Sequence, residues 1–201
     1  MRKANIAVFA SGTGSNFSAI VRAVKTGVIK ANLALLICDN PDAPVINKAV
    51  RAKIRTVIIA AKDFPSRDSF EKAVTGVLRG CNVDLIVLAG FMRILSPVFV
   101  KSYPKRIINI HPALLPSFKG AHAIRDAFEY GVKVTGVTVH FVDEQTDHGP
   151  VIMQEPVRIG NKDTLPRLEK RIHKVEHRVY PEAIDLCLRG RLRLRGRKVV
   201  R

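Results

Sequence analysis

The stretch from Asn109 to Pro116 holds the residues whose types and spacing best suit chemistry. It follows a largely apolar run at 106–108 that predicts the end of a buried strand, and side chains two residues apart on a strand point to the same side. Asn109 and His111 should therefore stand together where Pro112 stops the ladder. An amide donor beside an imidazole on a rigid strand end suits stabilisation of a negative charge developing on a carbonyl oxygen. The alternative is a polar strand end without a chemical task.

A glycine-rich loop, SGTGSN at residues 11–16, lies between a predicted strand and a predicted helix. Glycines let the backbone approach a ligand closely, and the free amides and positive end of the following helix attract phosphate. Phe17 occupies the third glycine position of the dinucleotide-binding fingerprint, so the loop favours a single phosphate over a dinucleotide. A plain tight turn is the alternative.

Two further segments could complete a site. Residues 89–95, AGFMRIL, follow the fourth predicted strand, and open parallel sheets bind ligands outside the carboxyl ends of their strands. With its flexible Met92, this loop could line a slot for a flat ring, or it could be a packed connection. Asp147 lies in a later turn, where aspartate is common. A carboxylate near His111 would orient the ring and favour its charged form.

A rival pattern, HxxEH, spans His173 to His177 and is typical of one class of zinc peptidases. Two histidines four residues apart share a helix face. The sequence offers no obvious distant acidic third ligand, and this helix is the last element, so we expect no metal. In another interpretation Glu176 binds an amine or cationic group of a small substrate, and the histidines support it.

The elements that must position these residues alternate between strand and helix. Apolar runs predict strands at 5–10, 33–38, 56–60 and 84–89, and helical spacing predicts helices over 15–25, 43–52 and 68–79. Such a pattern indicates a parallel sheet covered on both faces. After His111, residues 134–142 and 150–154 indicate an antiparallel extension of the sheet, and residues 165–188 a long closing helix.

Composition predicts one globular domain at residues 1–190 and a basic tail at residues 191–201. The 201 residues are 47% hydrophobic, enough for a substantial core, and no apolar run reaches the roughly 20 residues that span a bilayer. The N-terminus shows no secretory pattern, and the three cysteines are scattered without a CxxC pair, which favours a reducing cytoplasm.

The net charge of +17 is not evenly spread, and in the tail basic residues occupy nearly every second position without an acid. Alternation of Arg with Leu predicts an edge strand or an extended arm. Such an arm could bind nucleic acid, although no aromatic residue interrupts it to stack bases. It could also draw anionic substrates toward the protein, or be a solvated tail.

Six motifs in order resemble those of the folate-dependent phosphoribosylglycinamide formyltransferases over residues 4 to 190. They are SGTGSN, DSFEKAV, LAGFMRIL, INIHPALLP, GVTVHFVDEQTDHGPVI and RIHKVEHRVYPEAI. The resemblance implies an α/β Rossmann-like formyltransferase fold, with a mostly parallel sheet, helices on both faces and a C-terminal antiparallel extension. It also implies formyl transfer from 10-formyltetrahydrofolate to the amine of glycinamide ribonucleotide in de novo purine biosynthesis, without a metal.

The resemblance assigns roles residue by residue. The implied catalytic residues are Asn109, His111 and Asp147, and the implied substrate-binding residues are Gly12, Thr13, Gly14, Ser15, Asn16 and Glu176. The implied folate-binding residues are Arg67, Met92, Arg93, Ile94, Leu95, Asn109, Asp143, Glu144, Gln145 and Thr146. The chain departs from the family pattern at Thr13, Lys119 and His148, and the tail has no family role that we can assign.

We expect the protein to be a monomer or homodimer. Two alternatives to this function remain. A sister folate enzyme, such as a formyltetrahydrofolate hydrolase or a methionyl-tRNA formyltransferase, should carry an extra domain for which 201 residues leave no room. A basic nucleic-acid-binding protein on a degenerate enzyme scaffold would explain the charge, but the intact trio at Asn109, His111 and Asp147 speaks against degeneration. Nucleic acid is therefore not an expected partner.

Overall fold

The computed structural model describes residues 2–190 and 192–200, so Met1 and the predicted tail positions Arg191 and Arg201 lie outside the described residues. A seven-stranded sheet forms the centre, in the order β3-β2-β1-β4-β5-β6-β7. Its strands are β1 (Ala4–Phe9), β2 (Ala31–Cys38), β3 (Thr56–Ile58), β4 (Leu85–Leu88), β5 (Ile107–His111), β6 (Val134–Phe141) and β7 (Val151–Arg158). The first five run parallel, whereas β6 and β7 extend the sheet antiparallel, which confirms the predicted fold class.

Helices cover both faces of this sheet. They are α1 (Ser15–Lys25), α2 (Val45–Ala52), α3 (Arg67–Gly80), α4 (Pro97–Ser102), α5 (Ala123–Tyr130) and α6 (Leu165–Leu188), with a 3-10 turn at Ala61–Asp63. Ile6 and Val8 of β1 face a core that includes α1, α2 and α6, whereas Ala7 and Phe9 face a second core with α3 and α4. Among the helices that the structure describes, none is both long enough and apolar enough to cross a membrane.

The strand order reverses at β1, which pairs with β2 on one side and β4 on the other. Such a reversal opens a crevice at the carboxyl ends of the strands. The loop after β1 is joined there to the loop after β4, because the amide of Ser11 donates to the carbonyl of Gly90 at 3.0 Å. In the neighbouring pair, Asn109 of β5 lies opposite His140 of β6.

The tail differs from the predicted edge strand or extended arm. Its described part forms a hairpin of β8 (Arg193–Arg195) and β9 (Lys198–Val200), separate from the main sheet. Gly196, at φ 58, takes the left-handed conformation that lets the chain reverse in two residues. Leu192, Leu194 and Val199 pack against the main core, so the Arg/Leu alternation separates an outward basic side from an inward apolar side.

Candidate active site

A cavity of about 520 Å³ opens at the carboxyl ends of β1, β4 and β5. It gathers the glycine-rich loop, the loop after β4, the end of β5, the turn around Asp147 and one face of α6. Its lining includes the predicted positions Gly12, Thr13, Gly14, Ser15, Asn16, Met92, Arg93, Ile94, Leu95, Asn109, His111, Asp143, Glu144, Gln145, Thr146, Asp147 and Glu176. Residues predicted from five of the six motifs therefore meet at one cavity.

Arg67 is the one predicted site residue outside this lining. Its guanidinium donates to the carbonyl of Ile94, and its Nε lies 3.4 Å from Glu71 Oε1. Glu71 in turn accepts a hydrogen bond from the amide of Ser96 at 2.7 Å. Arg67 thus supports the loop after β4 from outside the cavity.

Asn109, His111 and Asp147 come together at the centre of the cavity. Asp147 Oδ2 lies 3.3 Å from His111 Nδ1, and Asn109 Nδ2 donates to Asp147 Oδ1 at 3.4 Å. The other imidazole nitrogen, His111 Nε2, lies 2.7 Å from the carbonyl oxygen of Phe118. Both ring nitrogens of His111 therefore face oxygen atoms that can accept a hydrogen bond.

Asp147 is held as a carboxylate by its surroundings. Burial opposes its ionisation, but the His140 imidazole 3.7 Å away, the hydrogen bond from the Gly120 amide and the nearby His111 outweigh burial and lower the pKa of Asp147. The amide of Gly120 donates to Oδ2 at 2.9 Å. Asp147 has φ 47, a left-handed conformation that tertiary contacts must support.

His140 is a site residue that the sequence analysis did not single out. It lines the cavity with a side chain only 2% exposed, and its Nε2 lies 3.3 Å from Asn109 Nδ2. Its Nδ1 lies 2.9 Å from the carbonyl oxygen of Phe141, and its Nε2 also lies 3.7 Å from Asp147 Oδ1. In the sequence, His140 is visible only as one residue of the alternating pattern of β6. Its contact with Asn109 could be predicted only from the register between β5 and β6.

The glycine-rich loop leads into α1 with its backbone amides open to the cavity. Gly14, at φ 70, caps the helix, and a Cβ there would overlap the side chain of Val45, so both conformation and space require glycine. No side chain caps α1, and its first turn carries no acid. The positive helix end is therefore free to receive an anion.

Glu176 connects this loop to α6. Its Oε2 accepts from Asn16 Nδ2 at 3.1 Å and lies 2.8 Å from His173 Nδ1. The hydrogen bond with Glu176 outweighs the opposing effect of burial and raises the pKa of His173. His177 does not line the cavity, and burial lowers its pKa. Within residues 2–190 and 192–200, no three His, Cys, Asp or Glu side chains form a group that could hold a metal ion.

The opposite side of the cavity is formed by the two predicted folate-binding loops. Met92 and Ile94 are 71% and 68% exposed and both line the cavity, so a ligand bound there would cover apolar surface. In the 143–146 loop, Asp143 Oδ2 lies 2.7 Å from His148 Nδ1, and Glu144 Oε1 lies 3.2 Å from Lys101 Nζ. An apolar wall faced by polar loop atoms suits a flat, partly polar ring.

The chain belongs to the formyl transferase family, whose sequence profile matches residues 4–184. It is 47% identical over 182 residues to the phosphoribosylglycinamide formyltransferase of Bacillus subtilis (strain 168), covering 90% of this chain and 93% of that protein. The Escherichia coli (strain K12) phosphoribosylglycinamide formyltransferase is 40% identical over 190 residues, covering 94% and 90%. The crystal structure of glycinamide ribonucleotide transformylase 1 from Symbiobacterium toebii aligns with a TM-score of 0.95 and 43% identity, over 98% of this chain and 93% of that chain. The family predicted from the six motifs is confirmed.

Proposed function

We propose that this chain transfers the formyl group of 10-formyltetrahydrofolate to the amine of glycinamide ribonucleotide, giving the N-formyl product and tetrahydrofolate in purine biosynthesis. One observation carries the proposal. A single cavity joins an anion-receptive helix end and a buried carboxylate on one side to an apolar wall on the other, with Asn109, His111 and Asp147 between them.

The phosphorylated substrate fits the side built from α1 and α6. Its phosphate meets the amides of residues 14–16, where the helix dipole favours negative charge. Glu176, fixed by Asn16 and His173, then faces the polar remainder of the substrate and holds it near its amine. Gly12 and Thr13 complete this wall.

The folate fits the opposite side. Its flat ring would cover Met92 and Ile94 and meet the polar atoms of residues 143–146, while Arg93 and Leu95 continue the same loop. Arg67 acts indirectly in this arrangement, through the carbonyl of Ile94. The two substrates thus approach the central trio from opposite walls.

The chemistry follows from this placement. The neutral amine attacks the formyl carbon and a tetrahedral oxyanion forms. The bond from that carbon to the folate nitrogen then breaks, and the proton lost by the amine passes to that nitrogen. Asn109 donates a hydrogen bond to the oxyanion, exchanging its longer contact with Asp147, and His111 adds a charged donor stabilised by Asp147. The loss of one such donor typically lowers turnover by a factor of about 100–1,000.

The proposed function also implies the partners, the location and the oligomeric state of the protein. The partners are two small anionic molecules, and the net charge of +17 should speed their encounter at low salt. The protein works in the cytoplasm as a monomer or homodimer and needs neither a metal nor nucleic acid.

The test is an acceptor panel, read by the change in folate absorbance. Glycinamide ribonucleotide should release tetrahydrofolate, whereas water alone and methionyl-tRNA should not. Release without an acceptor would replace the proposal with a hydrolase, and release with methionyl-tRNA alone would replace it with the tRNA enzyme. Binding of bulk RNA that vanishes in moderate salt, without any turnover, would favour the nucleic-acid-binding alternative.

A further inference from the structure

The basic hairpin reaches back to the turn that carries Asp147. We propose that Arg197 is a positioning residue for formyl transfer, because it fixes the 143–149 turn through His148. The catalytic part of this inference rests on the proposed function, whereas the contacts that hold the turn do not. It assigns a task to His148, which departs from the family pattern, and to the basic tail, for which the sequence indicates no family role.

Arg197 contacts His148 at two places. Its Nη2 donates to the backbone carbonyl oxygen of His148, and its Nη1 lies 3.2 Å from Nε2 and 3.3 Å from Nδ1 of the His148 ring. The other ring nitrogen, Nδ1, lies 2.7 Å from Asp143 Oδ2. Since the carboxylate can only accept, Nδ1 carries the proton that faces Asp143. Arg197 therefore contacts both the backbone and the ring of His148, and that ring in turn contacts Asp143.

The turn needs such support because its backbone is constrained. Asp147 is left-handed at φ 47, and a Cβ on Gly149 would overlap the carbonyl oxygen of Phe141. The inner side of the turn is held by the hydrogen bond from the Gly120 amide to Asp147. Arg197 holds the outer side, at the residue directly after Asp147, so its loss should let both Asp147 and the folate-binding residues 143–146 move.

The packing and the turn of the hairpin fix the position of Arg197. Leu192, Leu194 and Val199 anchor it on the main core, and the two-residue turn at 196–197 places Arg197 at its tip. Arg193, on the same hairpin, is exposed and makes no side-chain hydrogen bond or ion pair with any residue of the described chain. It therefore provides a control that removes the same charge.

The experiment compares Arg197→Ala with Arg193→Ala in the full chain. We expect Arg197→Ala to lower kcat/KM for 10-formyltetrahydrofolate about threefold to tenfold, the range for one charge-assisted contact at a partly exposed site, with KM for glycinamide ribonucleotide unchanged. Arg193→Ala should match the wild type. Arg197→Lys, which keeps a donor for the carbonyl, should restore part of the loss, and His148→Ala combined with Arg197→Ala should be no worse than the more impaired single variant.

Hydrogen–deuterium exchange supplies a readout that does not depend on turnover. Amides of residues 143–149 should exchange faster in Arg197→Ala than in Arg193→Ala, with no change in β5. Equal kinetics and equal exchange in the two variants would overturn the inference, as would additive effects of the His148 and Arg197 substitutions. A wild-type protein that transfers no formyl group would refute the proposed function, while the exchange comparison would still decide whether Arg197 holds the turn.

Discussion

Replacement of Asp147 by Asn tests the electrostatics of the site with little change in shape. Asn tolerates the left-handed φ of 47 that Asp147 adopts, so the variant removes the charge rather than the turn. Asp147 Oδ2 and His111 Nδ1 are 3.3 Å apart, with side chains 10% and 5% exposed. At that distance, a unit charge pair is worth about 5 kcal/mol with an effective dielectric constant of about 20.

The full 5 kcal/mol is an upper value, because water and the amide of the new side chain replace part of the lost interaction. A loss of about 3–4 kcal/mol in transition-state stabilisation lowers kcat by about 150- to 1,000-fold, since each 1.36 kcal/mol is a factor of ten. Steady-state turnover with both substrates saturating measures this loss, and thermal melting checks that the variant folds.

Asp163→Asn is the matched control. Asp163 also accepts from a backbone amide, that of Gly160 at 2.6 Å, and pairs with a cation, Arg171 at 2.7 Å, but it does not line the cavity. Its replacement should leave kcat within about twofold of the wild type. A kcat for Asp147→Asn within tenfold of the wild type, in a folded protein, would refute the electrostatic role assigned to Asp147.

Three other substitutions test the walls of the site. Glu176→Gln should raise KM for glycinamide ribonucleotide by about 10-fold or more, because the substrate loses a charged hydrogen-bond partner. KM for the folate should not change. A change in KM for the folate alone would contradict the placement of Glu176 at the glycinamide ribonucleotide site. Gly149→Ala should destabilise the fold by about 1–3 kcal/mol in denaturant unfolding, because the new methyl group overlaps the Phe141 carbonyl, and an unchanged midpoint would count against that contact. The hydrogen bond with Glu176 raises the pKa of His173 above its ordinary 6.5, so its charged form stabilises the fold fully below pH 6.5 and ceases to do so as the pH rises through the raised value. The stability difference between the wild type and His173→Gln should shrink over that interval, and a difference that grows would reverse the sign of the argument.

The sequence alone was sufficient for the longest elements and for residues joined by a short local pattern. Helices α1 and α6 begin and end at the predicted residues, because their apolar spacing continues over whole turns. Asn109 and His111 lie together on β5, as the two-residue period of a strand requires. The short helices α4 and α5, with six and eight residues, were not predicted, whereas α2, which also has eight residues, was.

The sequence did not predict contacts between segments that lie far apart in the chain. The proximity of Asp147 to His111 depends on a left-handed turn and on the amide of Gly120, and neither follows from spacing. His140 needed the register of two antiparallel strands before it could be paired with Asn109. The tail needed its packing partners, because an alternation of Arg and Leu is equally compatible with a strand of the main sheet, a free arm or the observed hairpin.

The most direct test of the central claim is the fate of a labelled formyl group. Wild-type protein, 10-formyltetrahydrofolate carrying ¹³C in its formyl group and a saturating amount of glycinamide ribonucleotide are mixed for a single turnover, and the products are analysed by mass spectrometry. The account predicts that the label appears in the N-formyl derivative of glycinamide ribonucleotide in an amount equal to the tetrahydrofolate formed. Label recovered as free formate, with glycinamide ribonucleotide unmodified, would contradict it.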